Sequence, residues 1–234
     1  MTIADNLARI HERIRQAALR CGRQPEDIRL VAVSKTVPAD MIREAVSAGA
    51  AMLGENYIQE AREKIALVGP EAEWHFIGHL QSNKAKFAAE LFSLIHSVDR
   101  LSLAQELNKE AAKKNKILPV LIQVNISGEE TKSGIDAAGT RQLVQQAALL
   151  PSLSVQGLMT MPPWFENPEE ARPYFRALRK LRDELAGEKI PNISLTELSM
   201  GMSGDFETAI EEGATLVRIG TAIFGERGQP SGSK

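Results

Sequence analysis

Two cations stand where apolar, strand-like runs end. In "LVAVSKTVPAD" the residues Leu30, Val31, Ala32 and Val33 lead to Lys35 and a turn-prone Val-Pro-Ala-Asp; in "TLVRIGTAIFG" Leu216 and Val217 lead to Arg218. A charged group at the end of a buried segment is costly unless something uses it. Either residue taken alone also reads as a long stem that passes the rim into water. Side chains alternate along a strand, so Lys35 shares a face with Val31 and Val33, and Arg218 shares one with Leu216. If those faces line a common interior, both cations reach its mouth, and coincidence becomes the weaker reading.

Two further stretches have the composition of an anion cup. "SMGMSGDFETAIEEG" offers the hydroxyls of Ser199 and Ser203, the glycines Gly201 and Gly204, and a helix start. "RIGTAIFG" offers Gly220 and Thr221 at a second helix start. Exposed amides at a helix start donate to an anion, and glycine lets it approach the backbone. Ordinary capping by Ser203 or Asp205 explains either loop alone; the two together, with Lys35, favour phosphate. A lysine facing a phosphate cup is either a salt-bridge partner or an imine-forming amine. Pyridoxal 5′-phosphate (PLP) requires a lysine, a phosphate cup and a partner for its ring nitrogen. Arg218 supplies the third.

Other chemistry-bearing residues carry less. His75 and His79 are four apart, but the intervening Phe76-Ile77-Gly78 reads as strand and turn, and no Glu or Cys follows at ligand spacing, so a metal site is not expected. His79 and Tyr57 are the candidates for a second base, Tyr57 reading as the first residue of a helix. Cys21, the only cysteine, reads as a helix-end residue and excludes an internal disulfide. Met159, Met161, Met200 and Met202 suit a pocket wall. Pro162-Pro163-Trp164-Phe165 suits either a lid or a partner surface.

The elements around these residues alternate in kind. An opening helix with the stripe Ile3, Leu7, Ile10, Ile14 and Ala18 ends at Gly22. Strand-type runs follow at 28–34, 51–53, 74–77, 94–98, 120–126, 153–159, 195–200 and 216–219. Helical patterns lie between them at 39–48, 57–67, 84–92, 101–115, 138–149, 168–186 and 206–212. Strict alternation demands a parallel sheet, and eight units in 234 residues favour a closed (β/α)8 barrel. An open dinucleotide-binding sheet would carry a glycine-rich loop after its first strand, where this chain has "SKTVPAD". Barrel chemistry sits at the C-terminal ends of the strands, where Lys35 and Arg218 fall. The domain is expected to span 1–227, with a disordered tail at 228–234. A formal net charge of −2 gives no footprint for nucleic acid. No apolar stretch approaches the about 18 residues of a membrane span. A cytoplasmic protein is expected.

The motifs "AVSKT", "GENY.QE", "WHFIGHLQSNK", "SVD", "SGI", "GLM" and "LSMGMSGDFE.AI..G.T.VRIGTAIFG" closely resemble the pyridoxal phosphate homeostasis protein family, in order and over nearly the whole chain. The resemblance implies the PLP fold type III barrel of the alanine racemase N-terminal domain, standing without the C-terminal β-domain. It implies that Lys35 forms the internal aldimine with PLP, that Arg218 meets the pyridine nitrogen, and that Asn56 lies near the cofactor. Ser199, Ser203, Gly220 and Thr221 match the phosphate-binding segments. The implied function is intracellular PLP (vitamin B6) and amino-acid homeostasis without an established catalytic reaction. PLP-dependent apoenzymes would be possible partners of a chain expected to be a monomer. A PLP-dependent racemase or lyase, and a Schiff-base aldolase, are the alternatives.

Overall fold

The structure, a computed structural model, describes residues 1–129 and 131–225. The expected boundary at residue 227 and the tail 228–234 lie outside the described residues. Among the described residues nine parallel strands form: β1 (Arg29–Val33), β2 (Met52–Glu55), β3 (Glu73–Phe76), β4 (Leu94–Val98), β5 (Leu118–Asn125), β6 (Ile135–Asp136), β7 (Leu153–Met159), β8 (Ile193–Ser199) and β9 (Leu216–Ile219). Their order is β4-β3-β2-β1-β9-β8-β7-β5-β6, and pairing of β4 with β5 closes eight of them into a barrel. The two-residue β6 stays outside the ring, paired with Val124 and Asn125 at the end of β5.

The helices are α1 (Ile3–Arg20), α2 (Ala39–Ser47), α3 (Ile58–Val68), α4 (Ala85–Leu91), α5 (Leu101–Ala112), α6 (Ala137–Ala147), α7 (Arg172–Gly187), α8 (Phe206–Glu211) and α9 (Thr221–Phe224). Most of the apolar core lies between the helices and the outer face of the barrel. A separate inner cluster of Val31, Leu94, Leu121, Met159 and Leu216, with Met52, fills the barrel itself. Val31 and Leu216 therefore face inward, as the alternation required of Lys35 and Arg218.

One boundary differs from the sequence reading in an informative way. A strand at 51–53 is expected, yet β2 continues through Gly54 and Glu55. Gly54 points into the barrel, where a Cβ would come 2.9 Å from Val31 Cγ1 and 3.0 Å from Ile77 Cδ1. The glycine makes room for neighbouring side chains here; it does not break the strand.

Because α8 and α9 are short, the helical ring would be thin beside β8 and β9. The opening helix α1 covers that place. Asn6 Nδ2 donates to Ile223 O at 2.8 Å, Arg13 pairs with Glu207 at 3.1 Å, and Arg23 Nη1 donates to Ile210 O and Ala214 O at 2.9 and 2.7 Å.

Candidate functional site

Strand β9 is the direct neighbour of β1, with Val31 in register with Arg218. Lys35, two residues past the end of β1 and half-buried, therefore stands beside the loops after β8 and β9. Those loops converge: Thr221 Oγ1 lies 3.2 Å from Ser203 Oγ. The β8–α8 loop turns back sharply at Gly201, whose φ is +91°; a Cβ there would lie 2.6 Å from Ala209 Cβ and 2.9 Å from Phe206 Cα. A glycine meets both demands. Asp205 Oδ1 accepts from Met202 N at 2.6 Å and fixes the loop from below, while burial pushes its carboxyl above the usual range. Gly220 is the N-cap of α9, so the amides that open this helix have no intrahelical acceptor.

Beneath the mouth, Arg218 is buried and anchored. Nη1 donates to Ser199 Oγ, and Nη2 donates to Thr160 O at 2.9 Å. The Ser199 hydroxyl also lies 2.8 Å from His96 Nδ1, and His96 Nε2 lies 3.1 Å from His75 Nδ1. Arginine has no acceptor, so Ser199 accepts from it, and His96 Nδ1 is the one acceptor described for the serine's own proton. His96 then carries its proton on Nε2 and donates to His75 Nδ1, which leaves His75 protonated on Nε2, towards Glu73 Oε2 at 3.8 Å. Arg218, Ser199, His96 and His75 thus form one hydrogen-bonded chain across the barrel. Burial lowers the pKa of His75 to about 4, and burial with the nearby His75 and Arg218 holds His96 well below its ordinary value. Burial also lowers Arg218 to about 10, which leaves it cationic near neutral pH.

The seven residues singled out from the sequence are thus placed as follows. Ser203 and Thr221 come together on the loops after β8 and β9, with Gly220 beside Thr221; Lys35 follows β1, the strand next to β9, and Arg218 lies buried on the inner wall. Asn56 follows β2 and lines a cleft of about 630 Å3 between α3 and α4, together with Tyr57, Arg62, His79 and Lys84 among others. Ser199 differs from expectation: its hydroxyl is committed to Arg218 and His96 inside the barrel. Sequence reasoning passed over His96 and Thr160. Parity with Leu94 would have placed His96 inside, but nothing local announces its partner 103 residues away. Tyr57 is the N-cap of α3 and exposed. The loop through Trp164 and Phe165 lies against Met202 and Gly204 around a cavity of about 50 Å3, and Phe165 stacks on Tyr174 at 5.8 Å.

Fold and mouth together define a (β/α)8 barrel with a lysine, a buried arginine and a two-loop cup at the C-terminal ends of its strands. The chain belongs to the family described as alanine racemase, N-terminal domain, matched over residues 6–228, and within it to the pyridoxal phosphate homeostasis proteins. It is 51% identical to the pyridoxal phosphate homeostasis protein of Aquifex aeolicus over 228 residues, which are 97% of this chain and 99% of that relative. Among solved structures it is similar to PipY of Synechococcus elongatus with PLP bound, at 39% identity and a TM-score of 0.83, covering 96% of this chain and all of PipY. Alanine racemase from Corynebacterium glutamicum shares the fold at 20% identity and a TM-score of 0.70, with 95% of this chain matching 62% of the racemase. No helix among the described residues is long and apolar enough to cross a membrane.

Proposed function

We propose that this chain binds PLP at the mouth of the barrel and serves cytoplasmic PLP (vitamin B6) and amino-acid homeostasis as a carrier or regulator, not as a dedicated catalyst. The observation that carries the reading is Arg218: a buried cation, fastened to Ser199 and Thr160, on the strand next to the one that bears Lys35. Its two described bonds use two of five N–H groups, so donors remain for a ring nitrogen. The convergent hydroxyls of Ser203 and Thr221 fit the phosphate end.

When bound, PLP supplies an aldehyde that a lysine amine joins with loss of water, and a ring that withdraws electrons. Lys35 is the amine. The amides of the last two βα loops, with Ser203 and Thr221, hold the phosphate; Gly220 lets it approach the backbone; Asn56 flanks the ring. Ser199 acts through Arg218. A guanidinium donates and cannot accept, so a ring nitrogen facing Arg218 accepts and stays unprotonated. An unprotonated ring stabilises developing negative charge poorly, which suits retention more than turnover. PLP-dependent apoenzymes are the expected recipients, and the chain is expected to act as a monomer; a sedimentation mass of twice the chain would contradict the latter.

Titration with PLP tests the reading. Wild type should develop a visible absorption band that K35A lacks, and the loaded protein should turn over no common amino acid at ordinary enzyme rates of ~1–10³ s⁻¹. Turnover at such rates would make it a racemase or lyase. A protein without the band that still traps a sugar phosphate on Lys35 would be an aldolase.

A further inference from the structure

The inner face of α3 carries Ala61 and Val68 against the barrel, and between them, one turn from each, a buried lysine, Lys64. Its ammonium has three donors, and three acceptors meet it: Ser34 O at 2.5 Å, Glu55 Oε1 at 2.9 Å and Glu60 Oε1 at 2.6 Å. The acceptors lead to one place in the chain. Glu60 Oε1 also accepts from Thr36 N at 2.5 Å, and Glu55 Oε1 accepts from Ser34 Oγ at 2.6 Å. Ser34 is further pinned by its own amide, which donates to Gly54 O at 3.0 Å. The carbonyl before Lys35 and the amide after it are therefore both held by one buried ionic cluster.

We infer that Lys64, Glu60 and Glu55 are positioning residues for Lys35, fixing the peptides on either side of it so that its amine is presented to an aldehyde at the barrel mouth. The inference rests on the reading that Lys35 takes PLP. Thr36 shows why a fixing device is needed: it is β-branched, yet sits at φ +60°, a left-handed conformation that such residues avoid. Glu55 lies fully buried on the helix side of β2, with Oε2 lacking a hydrogen bond and its carboxyl pushed above the usual range by burial. Replacing a buried ion pair by apolar packing is often neutral or stabilising, so the role inferred for this cluster is geometric. An all-apolar α3 face would pack against β1 and β2 without holding residues 34 and 36.

Two ligands separate positioning of Lys35 from general support of the mouth: PLP, and pyridoxine phosphate, which has the same ring and phosphate but CH2OH where PLP has CHO. Glu60 is partly exposed, so Glu60→Ala should fold. It should weaken PLP about tenfold, as expected for losing hydrogen bonds to a charged acceptor, and leave pyridoxine phosphate within about twofold. Glu60→Gln keeps an oxygen able to accept from both Thr36 N and Lys64, and should bind PLP like wild type. Lys64→Met should reproduce the loss of Glu60→Ala. Equal weakening of both ligands, or no change in either, would overturn the positioning role. A wild type that binds the two ligands equally would instead refute Lys35 as the PLP amine, and the inference with it.

Discussion

Arg218 can only donate to Ser199, and the serine proton's described acceptor is His96 Nδ1, so one direction is expected for the chain behind it and can be checked. Nitrogen-detected NMR of the imidazoles should show His96 and His75 both protonated on Nε2 and bare on Nδ1, neutral at pH 7. Finding the Nδ1 tautomer at His96 would break the direction of the chain. The same reasoning ranks two serines that look alike in sequence. Ser199→Ala leaves a guanidinium N–H and His96 Nδ1 buried without a partner, at a cost of about 1–3 kcal/mol. Ser203→Ala, at the partly exposed cup, should fall within about 0.5 kcal/mol of wild type. PLP retention should nevertheless fall in both variants, through Arg218 in the first and through the phosphate in the second.

At the scale of elements, the proposed phosphate cup would depend on backbone approach more than on hydroxyls. Gly220→Val should therefore weaken PLP retention more than Thr221→Val, and unchanged retention in the Gly220 variant would count against the cup. The strand–helix alternation behind this cup was legible in the sequence because β-branched runs and amphipathic periods differ in repeat. Lys35 and Arg218 were legible as a pair because parity and strand ends need no tertiary information. What escaped was long-range or too short to register. β6 is two residues, below any periodic signal. The extension of β2 through Gly54 escaped because the crowding of Val31 and Ile77 around it belongs to the closed barrel. Lys64 sits at a position of α3 that helical periodicity marks as inward, but its acceptors come from three separate segments. Ser199 is the last residue of β8, and only the strand register shows its side chain turned inward towards Arg218.

The whole molecule couples its core to pH. The unfolded chain binds protons on His75 and His96 near 6.5, whereas the folded state refuses them on His75 until about 4 and on His96 until well below 6.5. The unfolded state thus holds more histidine protons in that window, so the contribution of the two imidazoles is complete above pH 6.5 and falls as pH drops towards 4. Glu212 adds to this at lower pH. Burial alone would raise its carboxyl, but hydrogen bonds from Arg176 and Arg172 hold it below 4.5, and its contribution fades as acid protonates it. The urea midpoint should be flat above neutrality and decline below pH 6.5; a midpoint unchanged down to pH 4 would contradict the buried neutral histidines. At this scale the central claim is that the barrel exists to hold PLP on Lys35 beside the cup. Borohydride reduction of the PLP-loaded protein, followed by peptide mapping, measures that directly. A phosphopyridoxyl group on Lys35 is the predicted result; finding it only on another lysine, such as Lys84 or Lys132, would contradict the account.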